Sequence, residues 1–76
     1  MPHVIVKLAS GRSKQQKARL TEDIVRAVMA HANVPEPSVS VSIEDVEPKD
    51  WTERVYRPDF IGKLDTIYKK PGYDPH

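Results

Sequence analysis

Two short runs that alternate apolar and polar residues, separated by one long amphipathic stretch, restrict what this chain can fold into. In the first run, residues 3–8, Val4, Val6 and Leu8 fall on one face and His3, Ile5 and Lys7 on the other. In the second, residues 38–45, Val39, Val41 and Ile43 alternate with Ser38, Ser40 and Ser42. A period of two with β-branched residues is the pattern of a β-strand. From Lys14 to about Ala32, Leu20, Ile24, Val28 and Ala32 recur every fourth residue, and Val25 and Met29 widen the stripe. That pattern makes a helix with one core-facing side. Ser13 and Gln16 have capping-box spacing at its start, and Asn33 and Pro35 stop it. Strand, helix and strand at these lengths read as a β-α-β unit of the α/β class, with parallel strands and a right-handed crossover.

One helix covers one face of such a sheet. The other face, with Ile5 and the serines, needs a cover too, because parallel sheets are normally buried on both sides. Either a second subunit or the C-terminal part must supply it. After Pro48 the pattern is helical again but weaker. A short helix is expected over residues 49–56, then a better one over 59–70, with Pro58 at its start and Phe60, Leu64, Ile67 and Tyr68 on one side. Pro71 and Gly72 end it, and residues 73–76 read as a loose tail.

Seventy-six residues make one domain, 1–76, with a marginal core. The chain has no cysteine, so neither a disulfide framework nor thiolate chemistry is open to it. Its three histidines, His3, His31 and His76, lack metal-ligand spacing. Oligomerisation is the staple that remains. A net charge of +1 leaves no electrostatic footprint for nucleic acid. With no membrane-length apolar run and no signal-peptide core, a cytoplasmic protein is expected.

Pro2 directly precedes the first strand. If Met1 is removed, its nitrogen becomes a secondary amine held by the strand behind it. By itself a proline in second place is mostly a signal for methionine removal. Further along, Gly11-Arg12-Ser13 lies at the strand-to-helix turn, followed by Gln16-Lys17. The helix leads into Pro37-Ser38-Val39-Ser40-Val41-Ser42-Ile43, and Trp51 comes about eight residues after that strand's centre. In this order and spacing, these features resemble the 4-oxalocrotonate tautomerase family over about residues 2–51. The ending Lys69-Lys70-Pro71-Gly72-Tyr73 is similar to the branch of the family that forms dimers rather than hexamers.

The resemblance implies a β-α-β fold in which two protomers pack their sheets together, with Pro2 as acid/base catalyst of a keto–enol tautomerisation that needs no cofactor or metal. A free α-amino group titrates near ~8, and apolar burial lowers that value, which suits a base working near neutrality. Arg12 matches the substrate arginine, whose guanidinium can fork onto a carboxylate. Considered alone, it reads more readily as a solvated loop residue, and the Pro2 context turns the reading to substrate binding. Trp51 matches the family's aromatic wall, and packing is its plainer role. Ser40 stands where hexameric members carry a second, carbonyl-polarising arginine. Losing such an electrophile typically costs ~10²–10³ in rate. The expected substrate is therefore a small carboxylate such as a 2-hydroxy-dienoate or an arylpyruvate enol.

Arg54, with Arg57, is a weaker candidate for the missing cation, since both read as surface residues beside Glu53 and Asp59. His3 reads as a supporting residue. Two other functions remain open on the sequence. The same proline could serve a dehalogenase or hydratase if Glu44, Asp45 or Glu47 oriented a water. Alternatively, the scaffold could be a non-catalytic dimeric binding protein.

Overall fold

The computed structural model describes residues 1–73. Strand β1 (His3–Ala9), helix α1 (Lys14–Ala32) and strand β2 (Ser40–Val46) form the expected unit. The strands pair in parallel, with His3 opposite Ser40 and Ala9 opposite Val46. Backbone bonds from Ser40 N–H to the Pro2 carbonyl (3.2 Å) and from Ser10 N–H to the Val46 carbonyl (3.0 Å) carry the ladder past both ends. Strand β2 begins later than the alternation predicts, because Glu36–Ser38 form a 3-10 turn. Pro35 and Pro37 fix φ near the value such a turn needs, and the Ser38 hydroxyl donates back to the Pro35 carbonyl at 2.8 Å.

Both ends of α1 are closed as the sequence predicts. Gln16 N–H donates to the Ser13 hydroxyl (3.1 Å), and Ser13 N–H donates to the Gln16 side chain (2.8 Å). Asn33 ends the helix in the left-handed region, at φ 56°, where asparagine is tolerated.

Two ion pairs show what covers each face of the sheet. Lys17 of α1 reaches Asp45 at 2.5 Å, so the helix lies over the face of Val4, Val6, Leu8, Val41 and Ile43. Lys7, on the opposite face, pairs with Asp59 from the C-terminal segment. That segment therefore covers the Lys7–Val46 end of the second face and leaves Ile5 58% exposed. Among the described residues only Val46 and Tyr56 are buried.

The C-terminal segment departs from the two helices expected over 49–56 and 59–70. A 3-10 turn (Pro48–Asp50) leads into a π-helix (Thr52–Phe60), followed by a 3-10 stretch (Ile61–Thr66) that breaks at Lys63 (φ −137°, ψ 37°). Pro58 lies inside the π-helix and starts nothing. In an α-helix its ring would clash with the carbonyl four residues back, and the wider π turn gives it room. Beyond it, Gly62 and the run Thr66-Ile67-Tyr68 are poor helix formers. The expected apolar stripe splits accordingly. Phe60 and Ile67 turn inward, whereas Leu64 is 54% exposed and Tyr68 wholly so. Tyr73, expected in a loose tail, stacks at 6.3 Å from Tyr56, which also contacts Phe60 at 5.3 Å. The remainder of that tail, residues 74–76, lies outside the described residues.

Candidate active site

The turn after β1 positions Arg12. Gly11 adopts φ 124°, a conformation L side chains rarely take, and this lets the strand turn sharply into α1. The Arg12 side chain then folds back, one guanidinium nitrogen donating to the Ala9 carbonyl at 2.8 Å. A guanidinium carries five N–H donors, so this anchor leaves a fork for an incoming carboxylate.

Trp51 approaches from the end of the Pro48–Asp50 turn. Arg12 and Trp51 line one cavity of ≈ 510 Å³, together with Lys7, Pro48, Thr52 and Tyr73. The indole N–H donates to the Tyr73 hydroxyl at 2.9 Å. Among the described residues no Asp or Glu lines this cavity. Asp45 is paired with Lys17 on the helix side, and Glu44 and Glu47 are exposed.

Pro2 and Ser40 lie at the other end of the sheet. Pro2 is half-buried ahead of β1, and Met1 is fully exposed. The seven residues of β1 rise about 3.3 Å each, so Pro2 and Arg12 of one chain are roughly 20 Å or more apart. Ser40 is exposed, and its hydroxyl lies 2.6 Å from His3 Nδ1 on the same face, a supporting contact for the strand that follows Pro2. Arg54 is exposed on the π-helix away from the Arg12–Trp51 cavity, and Arg57 pairs with Glu53 at 3.3 Å.

The structure thus brings Arg12 and Trp51 together and sets Pro2 and Ser40 apart from them within one chain. Tyr73 escaped the sequence reading because nothing local to it signals a site. Only the chain's return over the π-helix carries it 22 residues back to Trp51.

Comparison with known proteins bears on this arrangement. The family model described as "Tautomerase enzyme" matches residues 2–55. The chain belongs to the tautomerase family. Membership makes it an enzyme of the isomerase class and removes the non-catalytic reading. A "Probable tautomerase" of Xylella fastidiosa (strain 9a5c) is 40% identical over 73 residues, covering 96% of this chain and 89% of the relative. "Tautomerase PptA" of Enterobacter sp. (strain 638) is 38% identical over 74 residues, covering 96% and 97%. "Tautomerase PptA" of Escherichia coli (strain SMS-3-5 / SECEC) is 31% identical over 74 residues, with the same coverage. The tautomerase family match ends within the π-helix, but the relatives align through nearly the whole chain, C-terminal segment included.

Proposed function

We propose that this tautomerase interconverts the enol and keto forms of a small 2-hydroxy-dienoate or arylpyruvate, with Pro2 as acid/base in a site built between two protomers. The observation that carries the reading is the shared cavity of Arg12 and Trp51, which pairs a carboxylate-binding cation with an apolar wall. The carboxylate of the substrate lies on the Arg12 fork and its unsaturated or aryl group lies against Trp51. Pro2, freed by removal of Met1, takes a proton from the enol and returns it to carbon. Met1, fully exposed, is open to the processing enzyme. The alternative hydrolytic chemistry has no observation in its favour, since among the described residues no carboxylate lines the cavity to orient a water.

Assembly supplies what one chain lacks. A two-fold axis near the middle of β1 sets the two sheets antiparallel. The Pro2 end of one strand then meets the Arg12 end of the other, at two equivalent sites. Size agrees with a missing partner. The chain exposes 5972 Å², against about 4,700 Å² for a compact monomer of its mass. Its radius of gyration, 13.9 Å, exceeds the roughly 11 Å of a compact fold of this length.

Mixing experiments test both parts. Processed protein should ketonise phenylenolpyruvate, and Pro2→Ala and Arg12→Ala should each lose most of that activity. An equimolar mixture of the two variants, unfolded and refolded together, should recover roughly a quarter of the wild-type rate, because half the dimers are mixed and each mixed dimer has one intact site. No recovery would place Pro2 and Arg12 in one chain's site. Full activity with Met1 retained would remove Pro2 as the base.

A further inference from the structure

We propose that Tyr73 is a substrate-binding residue, whose O–H donates to the carboxylate held by Arg12. The inference rests on the Arg12–Trp51 cavity being the acid-binding end of the site. It follows from how the phenol is bonded. An indole N–H can only donate, so in the 2.9 Å contact with Trp51 the Tyr73 oxygen is the acceptor. The Tyr73 proton is therefore directed elsewhere, and among the described residues nothing accepts it. Accepting one hydrogen bond polarises the hydroxyl and makes it a better donor.

Tyr73 lines the same cavity as Arg12 and is half-exposed. Its packing against Tyr56 holds the hydroxyl in place. Two cationic neighbours are already partly engaged, Lys7 with Asp59 and one Arg12 nitrogen with the Ala9 carbonyl. A carboxylate has two oxygens and about four lone-pair sites, more than the rest of one guanidinium fork satisfies. Tyr73 supplies a further donor next to the wall that Trp51 and Pro48 offer an aryl or alkenyl group. The cavity thereby selects a flat unsaturated acid over an aliphatic one.

Calorimetric binding of an inert probe, 3-phenylpropionate, tests this without turnover, with 3-phenylpropanol as its uncharged counterpart. Tyr73→Phe keeps the ring and removes only the hydroxyl. It should weaken the carboxylate about tenfold while the alcohol changes less than twofold, at an unchanged thermal midpoint. Trp51→Phe, which removes the polarising N–H and leaves the phenol, should lower the preference for carboxylate over alcohol by about threefold. Carboxylate binding within twofold of wild type in Tyr73→Phe overturns the inference. So does equal weakening of acid and alcohol, which marks a packing role, and so does an unchanged preference in Trp51→Phe. The expected pattern in a protein that fails to ketonise enols would leave Tyr73 as an acid-binding residue and remove the proposed reaction.

Discussion

Gly11 shows how one residue links conformation to chemistry here. Space around it is open, so an added Cβ would strike nothing, yet the φ of 124° itself penalises any side chain. Gly11→Ala should destabilise the protein by about 1–3 kcal/mol, read as a lower thermal midpoint. The same change should raise KM through Arg12, because the next residue's guanidinium reaches Ala9 only if the turn holds. A lower midpoint with unchanged KM would show that Arg12 does not depend on this turn. The sequence marked Gly11-Arg12 as a turn, and the structure confirms the turn. It did not mark Tyr73, whose importance arises from a contact across 22 residues.

At the scale of elements, the contrast lies between α1 and the C-terminal segment. Helix α1 carries its own start and stop signals, and both close as their spacing predicts. Ser13→Ala removes the acceptor for Gln16 N–H and should cost about 1 kcal/mol in denaturant unfolding, whereas Ser13→Asp should restore most of it. Equal stability of Ser13→Ala and wild type would assign the helix's stability wholly to packing. The C-terminal segment carries mixed signals. Its apolar spacing favours a helix from residue 59, while Pro58, Gly62 and the run Thr66-Ile67-Tyr68 oppose one. The chain settles on a π-helix ahead of that point and a broken 3-10 stretch after it. What tips the balance is tertiary: Asp59 must face Lys7, and Tyr56 must bury against Phe60 and Tyr73.

For the whole molecule, the question is what meets the uncovered part of the sheet. The C-terminal segment pairs with Lys7 and leaves Ile5 more than half exposed. Ile61 and Leu64 of the C-terminal segment are also about half exposed. If the two-fold axis passes near the middle of β1, Ile5 lies close to its own symmetry mate. Ile5→Glu then sets two like charges against each other in an apolar contact. Sedimentation should show a shift from dimer to monomer, with loss of the ketonisation rate. A variant that sediments and reacts like wild type would place the interface elsewhere.

The sequence by itself determined the β-α-β core, the caps of its helix and the family, because those rest on local spacing: period two, period 3.6 and capping residues a few positions apart. It also singled out Arg12 and Trp51 as candidates through their order along the chain, and the structure puts both on one cavity. The tertiary structure decided three matters the spacing could not carry. Pro58 is accommodated by a π-helix, Tyr73 joins Trp51, and the Pro2 and Arg12 ends of one strand lie too far apart to share a site in one chain. The first two depend on contacts between residues far apart in sequence, which are set only when the elements pack, and the third on β1 being one unbroken strand in the structure.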